Sequence, residues 1–300
     1  MAAPGRLRWA VCLRGWEPAA SELDLLLSWL PAEERTQCER FRQPADKQRA
    51  LVSRLLARRA AAVALGLPQG DAVVKRTRGG KPYVANELPG KAEGPVPNWN
   101  YSVSHEGDYV ILAAEPVAVC GCDVAAPRAA RRAAGGRAES LEDFFASFER
   151  QFTAAEWDMI RGAGVEAEQE SAFRKLWSLK EAFVKAMGLG LGYELGDVEF
   201  ALNGGSTATA SVQGSPHREW AFHLHQLGGG HWAAVARAPL AEVVDAWGGF
   251  TATFKKTEFG PGEWQEQLAA PEPAFSMLGV ADLVPPEQRS AYAAAGGELV

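Results

Sequence analysis

Residues 177–188 read WSLKEAFVKAMG, and this segment carries the strongest structural signal in the chain. On a helix of 3.6 residues per turn, its apolar side chains and those just before it form one stripe. The stripe consists of Ala172, Leu176, Leu179, Phe183, Ala186 and Met187. Glu181 and Lys185 lie on the other side of the helix, one turn apart. The pattern predicts a helix over 171–187 that packs on a core and directs an acid and a base away from it.

The Glu181 and Lys185 pair has two interpretations. A pair at i and i+4 on a solvated face stabilises a helix by about 0.2–0.5 kcal/mol and needs no other role. Alternatively, the pair acts together with Asp123, which follows the apolar run 119–122 and is expected where a strand leaves its sheet. An Asp in that place is also an ordinary turn former. Asp123 and Glu181 together would suit Mg²⁺, which takes one or two carboxylates beside phosphate and water.

Two further segments offer polar groups to a ligand. Residues 75–82 read KRTRGGKP, where the glycines permit close backbone approach and the cations favour an anion. A solvated basic turn is the alternative. Residues 101–108 read YSVSHEGD and place hydroxyls, an imidazole and two acids just before a strand. A nucleophilic Ser104–His105 pair lacks an orienting acid in this pattern, so phosphate contact is the preferred interpretation.

The charge distribution narrows the class of ligand. Of the 300 residues, 47% are hydrophobic and 23% charged, as in ordinary globular proteins. Residues 1–90 hold 15 Lys or Arg against 9 Asp or Glu, a net charge of +6, so the remainder carries −12 of the total of −6. Because an acidic remainder repels a long polyphosphate, a compact phosphorylated ligand fits better than a nucleic acid. The sequence also has no P-loop, dinucleotide-binding glycine fingerprint or aromatic RNA-binding motif.

The cysteines and the apolar runs indicate the compartment. Cys12, Cys38, Cys120 and Cys122 match neither a disulfide framework nor paired zinc ligands, so we expect reduced thiols. The first 16 residues interleave arginines with short apolar runs, unlike a signal peptide. No segment has the 18 or more apolar residues of a membrane helix. We therefore expect a cytoplasmic protein that does not bind a membrane.

The remaining periodic segments predict a mixed fold. Strands are predicted at 7–13, 109–114 and 117–124. Helices are predicted at 21–30, with Ser21 as N-cap, and at 46–65, 141–148 and 153–161.

A faint internal repeat predicts how these elements are grouped. The segment EGDYVILAAEP from Glu106 is echoed by GGGHWAAVARAP from Gly228, which indicates two related lobes. We place the N-terminal lobe at 1–116, the C-terminal lobe at 117–240 and a peripheral C-terminal extension at 241–300.

Taken in order, RTRGGKP, SVSHEGD, GCDV and WSLKEAFVKAMGLGL resemble the motifs of the two-lobed 4′-phosphopantetheinyl transferases, over roughly residues 5–240. The resemblance implies an α+β fold of two pseudo-symmetric lobes, each a small, mainly antiparallel sheet packed with helices. It also implies a monomeric enzyme that transfers 4′-phosphopantetheine from coenzyme A to a serine of an apo acyl or peptidyl carrier protein domain, such as that of fatty acid synthase. The reaction requires Mg²⁺ and releases adenosine 3′,5′-bisphosphate.

The resemblance also assigns roles to residues. Asp123 and Glu181 become the metal ligands, and Glu181 is also the base for the serine proton. Lys185 becomes the residue that binds the pyrophosphate and offsets its charge. The rest of coenzyme A is expected to contact Arg76, Thr77, Arg78, Gly79, Gly80, Lys81, Ser102, Val103, Ser104 and His105. A non-catalytic coenzyme A-binding protein is the alternative, against which the intact Asp123, Glu181 and Lys185 argue.

The sequence departs from the family pattern in the basic helix. Animal members have an arginine directly before an aspartate, where this chain has Ala45 before Asp46. We expect Arg42, Lys47 or Arg49 to substitute for it.

A second departure concerns the metal. Bacterial members carry another acid two residues after the first metal ligand, whereas that position here is Ala125. Glu106 stands where animal members have glutamine. We hypothesise that Glu106 supports the metal ion or one of its waters.

Overall fold

The structure, a computed structural model, describes residues 4–88, 94–128 and 140–299. Its helices are α1 Ala20–Ser28, α2 Ala32–Glu39, α3 Pro44–Leu65, α4 Leu141–Ala146, α5 Ala154–Arg161, α6 Glu166–Met187, α7 Glu263–Ala269 and α8 Arg289–Ala294. Its strands are β1 Leu7–Cys12, β2 Val74–Arg76, β3 Pro82–Val84, β4 Asn100–Glu106, β5 Tyr109–Glu115, β6 Val119–Ala125, β7 Val198–Asn203, β8 Thr207–Val212, β9 Ser215–Pro216, β10 Ala221–Gln226, β11 Trp232–Ala238 and β12 Ser276–Leu278. In this part of the chain, no helix has the length and apolar character needed to cross a membrane.

The first lobe is a sheet of order β12-β1-β5-β4 with α3 packed on it. β5 is antiparallel to both β1 and β4. Pro44 lies in the first turn of α3, where its missing N–H leaves no hydrogen bond unmade. Gly66 ends the helix in the left-handed conformation, φ 67°, which glycine adopts without strain. The helix predicted at 46–65 is therefore confirmed, with a start two residues earlier.

The second lobe repeats this arrangement. Its antiparallel sheet has the order β6-β11-β10-β8-β7, with the short β9 on β8, and α6 packs across β6 and β11. All six residues of the predicted apolar stripe are buried. The helix begins at Glu166, five residues before the predicted start, and Gly188 ends it with φ 81°. Each lobe thus carries a 22-residue helix on a small sheet, and the expected α+β fold is confirmed.

The two lobes meet along the neighbouring strands β4 and β6. Asn100 Oδ1 accepts a hydrogen bond from the Cys120 N–H at 3.0 Å, and Cys122 Sγ donates to the Ser102 carbonyl at 3.1 Å. Behind these strands, small apolar side chains of both sheets pack against each other, among them Ala113 and Val124. These contacts hold residues 102–105 and Asp123 side by side.

Two local expectations had different outcomes. Ser21 is not an N-cap, because α1 begins at Ala20 and the Ser21 hydroxyl instead donates to the Ala295 carbonyl at 2.8 Å. The Ser21 hydroxyl therefore bonds to a residue 274 positions away rather than to the start of its own helix, and the local sequence does not reveal this partner. All four cysteines carry free thiols, as predicted.

The last sixty residues pack on both lobes. Phe250 and Phe254 join the core of the second lobe. Leu283 and Tyr292 join the core of the first, and β12 adds a parallel strand to its sheet. The lobe boundaries proposed from the sequence stay predictions.

Candidate active site

A cavity of about 730 Å³ lies between the lobes. Its walls are α3, the β2–β3 hairpin and β4 in the first lobe, and α6 with residues 188–195 in the second. Concave sites for small molecules typically have volumes of about 300–1,000 Å³. The cavity is therefore large enough for a ligand of coenzyme size.

Asp123, Ser104 and Lys185 form a hydrogen-bonded group at one side of this cavity. Lys185 Nζ donates to Asp123 Oδ1 at 2.6 Å and to the Ser104 hydroxyl at 2.9 Å. The Ser104 hydroxyl in turn donates to Asp123 Oδ1 at 2.7 Å. Burial opposes the charged ammonium, but the adjacent Asp123 carboxylate outweighs it and raises the pKa of Lys185. Lys185 therefore stays cationic at neutral pH.

The Glu181 carboxylate lines the cavity one turn before Lys185. In the part of the chain that the structure describes, no donor hydrogen-bonds to it and no cation lies within ion-pair distance. Burial raises the pKa of Glu181, and the charges of Asp123 and Glu106 raise it further against the opposing effect of Lys185. The interpretation as a simple Glu181–Lys185 helix pair is wrong, because Lys185 pairs with Asp123 on β6 instead.

The donor set at this place fits a divalent cation. Asp123 is buried, Glu181 accepts no hydrogen bond from the described part of the chain, and the two carboxylates repel each other, so a cation between them stabilises both. Mg²⁺ usually takes one or two protein carboxylates and completes its coordination with phosphate and water. Across the described residues, no group of three or more His, Cys, Asp or Glu side chains is arranged to hold a metal ion. Asp123 and Glu181 together are thus a two-carboxylate candidate.

Glu106 lies close enough to affect Glu181 electrostatically. Its Oε2 accepts a hydrogen bond from the Ala126 N–H at 2.7 Å, which holds the side chain against the end of β6. Since it does not complete a three-ligand group, its support of a metal-bound water stays a proposal.

Ser104 and His105 do not form a nucleophilic pair. The Ser104 hydroxyl donates to Asp123, whereas the His105 side chain lines the cavity. Protein atoms around the His105 ring displace water from part of it, and this loss of hydration disfavours the charged ring. Together with the charges of Lys185 and Arg49, it lowers the pKa of His105 to about 4, although the residue keeps an exposed edge. Its ring is therefore neutral at pH 7. Ser102 and Val103 line the same wall.

The β2–β3 hairpin brings its basic turn to the cavity beside the C-terminal end of α6. Arg76, Gly79, Gly80 and Lys81 line the cavity, while Arg78 is exposed beside them. Thr77 is buried and closes the turn, because its backbone N–H donates to the Lys81 carbonyl at 2.9 Å and its hydroxyl accepts from the Lys81 N–H at 3.2 Å.

The Lys81 side chain ties this hairpin to the second lobe. Its ammonium donates to the carbonyls of Cys120 at 2.7 Å and Lys185 at 2.9 Å. Burial lowers the pKa of Lys81 to about 8. Two of its three donors are thus used within the protein, which makes Lys81 first of all a structural link.

Gly79 and Gly188 allow the hairpin to reach the end of α6. A Cβ on Gly79 would lie 1.9 Å from the Gly188 carbonyl oxygen, so no other residue fits without movement. The sequence suggested that Gly79 and Gly80 let the backbone approach an anion. In the structure, Gly79 instead permits contact between two backbone segments.

We expect Gly79→Ala to destabilise the protein by about 1–3 kcal/mol, because the added methyl group forces the hairpin away from α6. Gly70→Ala is the matched control, since a Cβ there meets no atom within 4 Å and its φ is not positive. Urea denaturation of both variants measures the effect. Equal stability of the two variants would contradict the close approach.

Among the basic residues on and just before α3, those that line the cavity differ from those expected to bind the ligand. Arg42, Lys47 and Arg49 are not among the residues that line the cavity. Arg49 donates instead to the Gly107 carbonyl at 2.7 Å and pairs with the carboxylate of Asp46. The N-terminal end of α3 therefore lies beside the cavity rather than in its wall.

Arg54 and Arg58, one and two turns further along α3, do line the cavity. Glu34 of α2 orients both, with a bidentate ion pair to Arg58 at 2.9 and 3.1 Å. Their i, i+4 spacing was visible in the sequence, but only the packing of α2 on α3 determines which face meets the ligand. On the second-lobe wall, sequence reasoning missed Arg150 and gave no ligand role to Trp177.

Comparisons with known proteins agree with this architecture. Residues 14–117 match the family model of the 4′-phosphopantetheinyl transferase N-terminal region, and residues 120–236 match that of the 4′-phosphopantetheinyl transferase superfamily. The chain is 34% identical over 238 residues to the L-aminoadipate-semialdehyde dehydrogenase-phosphopantetheinyl transferases of Pongo abelii and Homo sapiens, covering 77% of this chain and 74% of theirs. It is 35% identical over 233 residues to a phosphopantetheinyl transferase of Thraustochytrium, covering 76% and 77%. With both lobes matched in order, this chain belongs to the 4′-phosphopantetheinyl transferase family of enzymes.

Proposed function

We propose that the protein transfers the 4′-phosphopantetheine group of coenzyme A to a serine of an apo acyl or peptidyl carrier protein domain, with Mg²⁺, and releases adenosine 3′,5′-bisphosphate. The observation that supports this most directly is the Glu181 carboxylate, which lines the cavity with Lys185, has a pKa raised by burial and by the nearby Asp123 charge, and accepts no hydrogen bond from the described residues. This arrangement offers a base, a metal site and a cation to one diphosphate.

The two carboxylates have the first role in this proposal. Asp123 and Glu181 would hold Mg²⁺, which when bound offsets the charge of the diphosphate. Asp123 is well placed for this because its carboxylate is buried and fixed by the Ser104 hydroxyl at 2.7 Å.

Lys185 has the second role. Its ammonium binds Asp123 of β6 and Ser104 of β4, while the Lys185 side chain itself lines the cavity. A diphosphate oxygen is a stronger partner than a serine hydroxyl, so we infer that Lys185 turns to the diphosphate and offsets the charge that develops on the leaving phosphate.

Glu181 has the third role, as the base that accepts the proton of the carrier serine, directly or through a water. The serine oxygen bonds to the β-phosphorus, and the bond from that phosphorus to the bridging oxygen breaks. Glu181 lines the same cavity one turn before Lys185, so its carboxylate would lie in the same part of the cavity as the diphosphate proposed for Lys185.

Arg54, Arg58, Arg76 and His105 would receive the nucleotide end of coenzyme A, because they line the same cavity as Lys185. Arginine is well suited to phosphate through its planar set of donors. The positive first ninety residues would attract an acidic carrier domain. Part of the arginine-rich segment 128–137, a second candidate for such attraction, lies outside the described residues. Fatty acid synthase as acceptor, the cytoplasmic location and the monomeric state stay predictions.

The test is direct: incubate the protein with coenzyme A, Mg²⁺ and an apo carrier domain, and measure the mass of the carrier. We expect a gain of one phosphopantetheine group, no gain with a carrier whose serine is replaced by alanine, and no gain when EDTA removes the metal. Failure to modify several carrier domains, together with tight binding of coenzyme A, would favour the non-catalytic binding protein.

The role of Glu106 yields its own prediction. We expect Glu106→Gln to raise the Mg²⁺ concentration needed for half-maximal transfer by about tenfold, a value typical for loss of a group that supports a metal ligand. Glutamine can still accept the hydrogen bond from the Ala126 N–H, so the strand end keeps its structure. Magnesium titration of the transfer rate measures this. An unchanged turnover and magnesium dependence would remove Glu106 from the metal site.

A further inference from the structure

The segment after residue 238 lies outside the parts matched by the family models, 14–117 and 120–236. It nevertheless contacts both lobes along its length. Asn98, which precedes β4, accepts hydrogen bonds at its Oδ1 from the N–H groups of Lys255 and Lys256, both at 2.9 Å. The segment then crosses the second lobe, where Arg237 of β11 donates to the backbone carbonyls of Gln267, Leu268 and Ala270.

Glu272 lies at the point where this segment passes from the second lobe to the first. On the first-lobe side, Arg8 of β1 donates to its two carboxylate oxygens at 2.5 and 2.9 Å. On the second-lobe side, His225 Nε2 lies 3.3 Å from Oε1 and Arg237 Nε lies 3.8 Å from Oε2. One carboxylate therefore joins charged or polar side chains of both sheets.

This carboxylate is almost completely removed from water. The Glu272 side chain is 7% exposed, and those of Arg8 and Arg237 are 0% exposed. Burial opposes its charge, but Arg8 and His225 outweigh that and hold the pKa of Glu272 below its usual range. Loss of the negative charge would leave two buried guanidinium groups with less compensation, which the lobes can relieve by moving apart.

Beyond Glu272 the segment is anchored in the first lobe. β12 pairs in parallel with β1 from Ser276 to Leu278. The hydroxyl of Tyr292 in α8 donates to the Glu22 carboxylate of α1 at 2.8 Å. The segment thus resembles a strap fixed at both ends, with Glu272 between them.

The position of one lobe relative to the other determines the cavity. Arg76 and His105, which are proposed to bind the nucleotide end of the ligand, belong to the first lobe. Glu181 and Lys185 belong to α6 of the second. A change in the separation of the lobes therefore changes the distance between groups that must bind one ligand together.

We propose that Glu272 is a positioning residue: by joining Arg8 of one lobe to His225 and Arg237 of the other, it sets the separation of the cavity walls and thereby the affinity for coenzyme A. That the ligand is coenzyme A rests on the proposed function. The contacts of Glu272 with both lobes do not depend on it.

Two variants separate positioning from general stability. Glu272→Gln keeps the shape of the side chain and removes its charge. Tyr292→Phe is the control, because it removes one hydrogen bond of the same segment within the first lobe alone. We expect both variants to lower the melting temperature.

Only Glu272→Gln should raise the KM and Kd for coenzyme A, by about three- to tenfold, with a smaller change in kcat. If Glu272→Gln does not fold, His225→Asn removes the second-lobe partner more mildly and should act in the same direction.

The separation of the lobes is measured independently of the ligand. Spin labels at the exposed Val63 of α3 and Val165 before α6 report the distance between the lobes by double electron–electron resonance. We expect a broader or shifted distance distribution in Glu272→Gln and the wild-type distribution in Tyr292→Phe. An unchanged distribution and KM in Glu272→Gln, or equal changes in both variants, would overturn the proposal. If the wild-type protein does not bind coenzyme A, the proposed function fails, and the spin-label distances alone decide whether Glu272 holds the lobes.

Discussion

Glu181→Gln is expected to lower the rate of phosphopantetheine transfer by about a hundred- to ten-thousandfold, the range found when a general base is lost. The substitution keeps the size of the side chain but removes its charge and its capacity to accept a proton. Because Arg54, Arg58, Arg76 and His105 also line the cavity and are unchanged, much of the affinity for coenzyme A should remain.

The measurements are single-turnover transfer followed by mass spectrometry and coenzyme A binding by calorimetry. Glu166→Gln is the matched control, since it makes the same chemical change at an exposed position in the first turn of the same helix. A Glu181→Gln protein as fast as the control would remove Glu181 from the mechanism.

Lys185→Ala is the second substitution with a large expected effect. We expect kcat to fall by about a hundred- to a thousandfold, as when one group that stabilises transition-state charge is removed. Lys185→Ala also frees Asp123 Oδ1 from the 2.6 Å ammonium contact, so the affinity for Mg²⁺ in the absence of coenzyme A should rise rather than fall.

A rise in metal affinity together with a fall in kcat distinguishes a lysine that binds phosphate from one that only stabilises the fold. Lys175→Ala serves as control, because Lys175 lies on the same helix with its ammonium over the Trp232 ring, 4.3 Å from the centroid. The rates and a Mn²⁺ titration of both variants are the readouts. Reduced metal affinity in Lys185→Ala, or a transfer rate equal to that of Lys175→Ala, would contradict the assignment.

Much of the fold could be predicted because its signals are local. The stripe from Ala172 to Met187 has helical period and is buried as expected. The echo of residues 106–116 in residues 228–239 corresponds to β5 and β11, each the second strand of a hairpin under a 22-residue helix. The turns of these two hairpins even meet, since the Asp108 N–H donates to His231 Nε2 at 3.2 Å.

Other features depend on partners distant in sequence. Lys180 stands beside Glu181 in the motif, yet its side chain is fully buried and forms an ion pair with Glu156 of α5 at 2.7 Å. Periodicity placed the apolar stripe correctly but did not reveal this buried charge, because its partner lies 24 positions earlier. The approach of Gly79 to Gly188 and the bridge from Glu272 to Arg8 are hidden for the same reason.

The candidate site was predictable in type more than in detail. The order of the motifs singled out Asp123, Glu181, Lys185 and Ser104. In the structure, hydrogen bonds join Asp123, Ser104 and Lys185, and Glu181 and Lys185 line the cavity. The structure differs from the prediction at the basic helix. We expected Arg42, Lys47 or Arg49 to bind the ligand, but Arg54 and Arg58 line the cavity. The charged residues of this helix lie on more than one face, so only its packing identifies the side that meets a ligand.

We propose that Asp123 and Glu181 share one magnesium ion beside a diphosphate. The most direct measurement is anomalous diffraction from crystals of the protein grown with coenzyme A and Mn²⁺ in place of Mg²⁺. We expect one peak between the two carboxylates, within about 2.3 Å of an oxygen of each and next to the pyrophosphate, with Lys185 Nζ moved from Asp123 to a phosphate oxygen. A peak bound by other residues, or a pyrophosphate bound away from Glu181 without any metal, would contradict the account.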